Sequence, residues 1–332
     1  MKVSIIIPVY NVALYIERCI KSVMNQTYSG DIECILVNDA SSDDCITIAE
    51  RLVANYNGPI QFKIINLEQN RGCSAARNTG IDAATGDYLY FMDSDDEITS
   101  DCIDKLSLPI MKDPTIEMVE GCYVAFTKDY NNVTSEQIFS RPQLEYATHE
   151  AVRIFFLSRQ NENKLTWNKL VNRDFVLKNQ IYFKEGVLWE DFLWHFMYNK
   201  YLSHLYIIPD VTYKYHIRPK SIITSTPNSY IQNSFGSMYA EIAKTLSPKE
   251  GVCEVRYILK GFCLFYLDNS TNPEYKQAAN LFSKVLKDNR CVKEWLFLNL
   301  IVFLSRFKLA KKLIKKAGAL LYEKQKRKKV IL

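Results

Sequence analysis

Val3-Ser-Ile-Ile-Ile-Pro-Val-Tyr-Asn11 decides the fold. Its apolar residues run almost without a break instead of alternating, the pattern of a strand covered on both faces in a parallel sheet. Pro8 excludes a helix through the same residues. Outward from this strand, residues 13–25 place Leu14, Cys19 or Ile20, Val23 and Met24 at helical spacing, and Glu33 to Asn38 reads as a second buried strand. Ser41 or Ser42 then caps a helix through Asn55, Phe62 to Leu67 makes a third strand, Ser74 to Ala84 a third helix, and Tyr88 to Met92 a fourth strand. Repeated strand-helix-strand units call for an α/β fold: a parallel sheet with right-handed crossovers and helices packed on its faces.

Ligands bind such sheets outside the carboxyl ends of the strands, and the polar residues of this segment collect there. The first strand delivers Tyr10 and Asn11, the second Asn38 and Asp39, the third crossover Asn70-Arg71-Gly72, and the fourth Asp93-Ser94-Asp95-Asp96. Three carboxylates within four residues repel one another unless a cation or hydrogen bonds offset them. A hard divalent ion, Mg²⁺ or Mn²⁺, held by Asp93 and Asp95, would do so and keep positions open for phosphate oxygens; solvated turn residues capping a helix near Thr99 are the plain alternative. No Cys or His lies close in sequence, which disfavours a soft or imidazole-rich site. The first strand is not followed by GxGxxG, and GxxxxGK[ST] is absent, so neither a dehydrogenase nor a P-loop reading holds.

At 332 residues, 48% apolar and 24% charged, the chain has material for a core domain and an addition. Nine cysteines without a CxxC pair suggest reduced, buried thiols rather than a zinc ribbon or disulfide framework. The first apolar run is too short for a signal-peptide core, and Trp295 to Ser305 is too short to span a bilayer, so a cytoplasmic protein is expected. From Arg306 to Lys329, eleven Lys or Arg stand against Glu323, an excess of +10; since the net charge is +5, the remainder carries −5. Phe307, Ala310, Leu313, Ile314, Ala317, Leu320 and Leu321 fall on one helical face beside lysines. This is the pattern of a basic amphipathic helix lying on an anionic membrane surface. A helix docked on its own domain competes with that reading, and nucleic acid ranks last because the body is acidic and shows no recognition motif. After Pro227 the pattern is helical to the end.

The segments Ser4-Ile-Ile-Ile-Pro-Val-Tyr-Asn11, Val37-Asn-Asp-Ala-Ser-Ser-Asp43, Asn70-Arg-Gly-Cys-Ser-Ala-Ala-Arg-Asn-Thr-Gly80 and Phe91-Met-Asp-Ser-Asp-Asp96, in this order, closely resemble the family 2 glycosyltransferases. The likeness is strong over residues 1–125 and extends to about 220 through Trp167-Asn-Lys-Leu170, Trp189-Glu-Asp191 and Tyr213-Lys-Tyr-His-Ile-Arg218. It implies a Rossmann-like glycosyltransferase A-type domain over residues 1–226, with a nucleotide-binding half (1–125) and an acceptor half (126–226), followed by a helical region over 227–332. It also implies a nucleotide-sugar donor, most often a UDP-sugar, and inversion at the anomeric carbon.

Residue by residue, the resemblance puts Asp39 on the uracil ring, Arg71 on the nucleotide, Asp93 on ribose and metal, and Asp95 on the metal. Pro8, Tyr10 and Asn11 belong to the first donor-binding motif, and Arg77 and Asn78 give supporting hydrogen bonds. Asp191 matches the second acid of the family's Glu-Asp pair, the base that takes the acceptor proton; Glu190 accompanies it and Trp189 would stack on acceptor sugar. Arg218 and, less firmly, His216 would face the leaving diphosphate. Asn38 and Ala40 depart from the usual Asp and Gly, and Ala40 is expected to hold its loop to negative φ. His149, His195 and His204 read as structural. The expected function is transfer to a glycan or lipid-linked acceptor in surface polysaccharide biosynthesis, on the inner face of the membrane. A catalytically silent nucleotide-sugar or glycan-binding module and a glycoside hydrolase are the competing readings.

Overall fold

A computed structural model describes residues 1–128, 134–157, 165–217, 228–245, 258–259, 262–263, 266–267, 269–288 and 292–306. Arg218 and the basic amphipathic segment from Phe307 onward lie outside these residues. The chain divides into two compact units, Met1–Ser225 and Thr226–Leu332.

In the first unit, β1 (Val3–Val9), α1 (Ile16–Met24), β2 (Ile32–Asn38), α2 (Cys45–Ala54), β3 (Gln61–Asn66), α3 (Cys73–Ala83) and β4 (Tyr88–Phe91) follow one another as the periodicity predicts. β5 (Glu97–Ile98), α4 (Cys102–Lys112), β6 (Met118–Lys128), β7 (Thr134–Phe139), β8 (Leu144–Tyr146), α5 (His149–Leu157), β9 (Lys169–Asn172), α6 (Arg173–Lys178), α7 (Glu190–Asn199) and β10 (Leu205–Ile217) complete it. The sheet order is β3-β2-β1-β4-β9-β6-β10-β5, with β7 on β6 and β8 on β10. β1 to β4 are parallel, whereas β9 enters antiparallel between β4 and β6. The sheet is therefore mixed beyond the first hundred residues.

β1 shows why the opening run had to be uninterrupted. Val3, Ile5, Ile7 and Val9 pack on one face with α1, α2 and α4, while Ile6 packs on the other with α3, α5, α6 and α7. Pro8 is tolerated inside this central strand for a register reason. The β1–β4 ladder ends at the pair Ile6↔Phe91, so the amide hydrogen that Pro8 lacks would have faced a neighbour that has already stopped. Strand order reverses around β1, which places the switch-point crevice at the carboxyl ends of β1, β2 and β4.

Three local expectations need correction. α2 begins at Cys45 after Asp44 and not behind a Ser41 or Ser42 cap, because both serines are drawn toward β1: Ser41 Oγ donates to the Val9 carbonyl (3.4 Å) and Ser42 N–H to Asn11 Oδ1 (2.9 Å). α4 begins at Cys102, not near Thr99, because residues 97–98 are taken into β5. Ala40 does not keep negative φ: it stands at φ 55. Its neighbours fix it there, since Asp39 N–H donates to the Val9 carbonyl (2.9 Å) and Ser41 N–H to Asn38 Oδ1 (2.9 Å). The left-handed conformation costs a non-glycine residue about 1–2 kcal/mol. Ala40→Gly is therefore expected to stabilise the protein by up to about 1 kcal/mol after the entropy cost of glycine, read as a higher urea midpoint with unchanged slope.

The second unit contains α8 (Asn228–Thr245), α9 (Pro273–Asp288) and α10 (Val292–Leu304). Gly236 lets α8 approach α9 closely: a Cβ there would stand 2.6 Å from the Glu274 Cβ. Phe262, Tyr275 and Phe282 form this unit's own aromatic core.

Candidate active site

The carboxyl ends of β1 and β2 are tied together by polar side chains. Asn11, at φ 51, accepts from Ser42 through its side-chain oxygen, and Tyr10 beside it is 45% exposed at the crevice. Pro8 is buried within β1, so it shapes this strand end from inside. Asp39 is 2% exposed, and its two oxygens accept the backbone N–H groups of Arg71 (2.7 Å) and Gly72 (2.8 Å). The carboxylate thereby anchors the loop entering α3. Gly72 is required in that loop by its φ of 88. Asn38 turns away from the crevice, donating to Asn66 Oδ1 (2.9 Å). Arg71 projects outward and holds Glu185 with two contacts of 2.9 and 3.0 Å.

Arg77, on α3, is the hub. It is 3% exposed, and its guanidinium donates to Asp93 Oδ1 (3.0 Å), Glu190 Oε1 (2.8 Å) and Asp191 Oδ1 (3.1 Å), with the Phe183 ring 5.2 Å away. Residues far apart in the chain thus meet: Asp93 from the end of β4, and Glu190 and Asp191 from the first turn of α7. One cation facing three carboxylates leaves the site net negative. Lost hydration, then the charges of Asp95 and Asp191, raise the Asp93 pKa to about 6 despite Arg77. Burial and the adjacent Asp191 likewise raise Glu190.

Asp191 is held so that one oxygen remains accessible. Thr166 Oγ1 donates to Oδ1 at 2.5 Å, Arg77 binds the same oxygen, and among the described residues nothing donates to Oδ2. The residue before this pair, Trp189, is 38% exposed and adopts φ 66, an outlier for a bulky side chain and a form of strain that gathers at functional sites. Asn78 supports the approach to α7 by exchanging two hydrogen bonds with the Phe183 backbone (2.8 and 2.9 Å).

The second tier was only partly visible in the sequence. Asp96, one of the three strand-end acids, is completely buried and faces inward: it accepts from Tyr213 Oη (2.7 Å) and the His216 N–H (2.7 Å), pinning β10 to the end of β4. Burial, then Asp95 and Asp93, hold its pKa well above the carboxylate range. Trp167 stacks on Tyr213 (4.2 Å between centroids), and buried Lys169 donates to the Leu165 carbonyl (2.5 Å), bracing the segment before β9 that carries Thr166. Burial lowers the Lys169 pKa to about 8. His216 Nε2 pairs with Glu97 (2.8 Å) and its ring stacks on Phe126; burial, then Arg18, lower its pKa, so it supplies little fixed positive charge at neutral pH. His149, His195 and His204 engage the Leu202 carbonyl, Tyr198 and Glu145.

For a divalent ion the donor set fits at Asp93 and Asp95. Both are hard oxygen donors on a tight turn closed by Asp96 N–H to the Asp93 carbonyl (3.2 Å), and nothing among the described residues donates to Asp93 Oδ2. Asp113, Glu145 and His204, which do have metal-like spacing, lie at the amino end of β10 and away from the crevice. This group is closed by its own hydrogen bonds, through Thr115 and between His204 and Glu145. A cavity of about 750 Å³ between α1 and β5, lined by Arg18, Lys21, Glu97 and Lys214, flanks the site without including Asp93 or Asp191.

Comparison with known proteins bears on the family and the fold. The profile of "Glycosyl transferase family 2" matches residues 4–185. EpsH of Bacillus subtilis is 29% identical over 291 residues, covering 85% of this chain and 80% of EpsH. The uncharacterized glycosyltransferase YibD of Escherichia coli is 28% identical over 226 residues, covering 67% of this chain and 63%, under two thirds, of YibD. Residues 1–349 of S. aureus TarS, crystallised with UDP-GlcNAc, superimpose with a TM-score of 0.66 at 19% identity over 94% of this chain and 88% of that one. The fold is the glycosyltransferase A-type, and no described helix is long and apolar enough to cross a membrane. With more than half its length matched, the chain belongs to glycosyl transferase family 2.

Proposed function

We propose that this enzyme is an inverting, metal-dependent glycosyltransferase that moves a hexosyl-type sugar from a UDP-sugar to a hydroxyl of a glycan or lipid-linked acceptor in surface polysaccharide biosynthesis. The observation carrying the reading is the Arg77 cluster, which sets Asp191 beside Asp93. Asp191 Oδ2 takes the proton of the acceptor hydroxyl as its oxygen attacks the anomeric carbon opposite the departing diphosphate. The bond from that carbon to the phosphate oxygen breaks and its electron pair leaves with UDP. Asp39, Tyr10 and Asn11 seat the nucleoside. The Arg71–Glu185 pair is about half exposed on both sides and worth about 0–1 kcal/mol, so exchanging Glu185 for a phosphate is cheap. Arg218 is assigned to the same diphosphate, whereas His216 is left as a brace for β10. Mg²⁺ or Mn²⁺, held by Asp93 and Asp95, would supply charge to stabilise the leaving diphosphate. Trp189 offers a face for acceptor sugar.

Two features support the donor class: the polar crevice at the switch point, and the UDP-GlcNAc bound by structurally similar TarS. The test is incubation with a panel of UDP-sugars and Mn²⁺, following UDP release and the anomeric configuration of any product. Metal-dependent UDP release with inversion supports the proposal. Sugar release without nucleotide dependence favours a hydrolase, and binding without turnover favours a silent module.

A further inference from the structure

The helix α10 is built unlike a helix meant for water. Its charged residues, Lys293 and Glu294, stand in the first turn, and Trp295 to Leu304 contains none. Leu298 and Ile301 are buried, at 1% and 4% exposure, and Trp295 Nε1–H donates to Ser283 Oγ (3.0 Å) on α9. One face of α10 is thus fixed within its own unit. On the other side Leu296, Phe297 and Leu300 are 55%, 46% and 51% exposed. Leu300 lies four positions after Leu296 and three after Phe297, so these three side chains form one contiguous stripe. Contiguous exposed apolar side chains of this kind mark interaction surfaces.

We propose that this stripe docks into the surface of an anionic lipid bilayer. Charge decides the occupant. The chain leaving α10 carries eleven Lys or Arg between Arg306 and Lys329 against one acid, while the remainder carries −5. A second copy on the same stripe would bring two such runs together, whereas a layer of anionic headgroups attracts them. Thirteen residues are too few to span a bilayer, so α10 lies in the plane of the surface with its apolar side in the headgroup boundary. The inference deepens the acceptor reading, since a lipid-linked acceptor would be presented at that surface, but rests on α10 and not on the residues that bind donor.

The test uses the full chain without donor or acceptor, co-sedimented with vesicles of phosphatidylcholine alone and of equimolar phosphatidylcholine and phosphatidylglycerol. The wild type should bind the anionic vesicles selectively and less at high salt, and Phe297→Glu with Leu300→Glu should lower the partition coefficient at least about tenfold. Phe297→Trp, which keeps the stripe apolar, should add a blue-shifted emission on anionic vesicles. Unchanged binding of the double variant, or no blue shift, would overturn the proposal. So would a dimer that the double variant dissociates, with no vesicle binding by the wild type. UDP binding by each variant, measured separately, reports whether the first unit is intact and keeps failure here distinct from failure of the transferase reading.

Discussion

Asp191→Asn is expected to lower kcat by about 10²–10⁴-fold, the contribution of a positioned general base, while UDP affinity and its metal dependence stay as in the wild type. Asparagine preserves the side-chain shape and can still accept from Thr166 and Arg77 through Oδ1. It replaces Oδ2, the oxygen to which no described residue donates, with an amide that cannot take a proton. The loss therefore falls on kcat and not on KM, and steady-state kinetics with a saturating UDP-sugar separates the two. A KM effect alone would move Asp191 from proton transfer to substrate binding.

Arg77→Met should remove both activity and a large part of the stability. Among the described residues the guanidinium is the one cation bound to Asp93, Glu190 and Asp191 together, and its removal leaves three partly buried carboxylates facing one another. Breaking buried charge pairs from one side costs about 3–5 kcal/mol, which urea unfolding would register. Arg77→Lys should recover little, because an ammonium cannot span three acceptors as the planar fork does. If the site accepts a divalent ion, Mn²⁺ should raise the Tm of Arg77→Met more than that of the wild type. An equal shift in both would separate the arginine from the metal site.

The four parallel strands and the residues at their ends were legible because a two-face-buried strand admits one pattern and because polar residues gathered at one edge. Asp39, Asp93, Asp95 and Asp191 could be named from the sequence. The partners of Arg77 could not: the resemblance gives it supporting hydrogen bonds, but that it meets Asp93 and an acid pair 113 and 114 positions away is set by packing alone. Asp96 illustrates the same limit: three neighbouring acids look alike in the sequence, and the structure turns one inward to Tyr213. β9 escaped because four residues, one of them a lysine, give no strand pattern; antiparallel pairing on both sides fixes them. The departure at Ala40 misled because φ was inferred from residue type, whereas hydrogen bonds from its neighbours set it.

Asp39 is an ambiguous probe of the donor site, because removing its carboxylate also frees the Arg71 and Gly72 amides and loosens the entry to α3. Asp95 is the better one. Calorimetric titration of UDP with and without Mn²⁺, on wild type, Asp95→Ala and Asp191→Asn, tests the division of labour directly. The account predicts Mn²⁺-dependent binding in the wild type and in Asp191→Asn, and its loss in Asp95→Ala; equal loss in both variants, or no binding of UDP by the wild type, would contradict it.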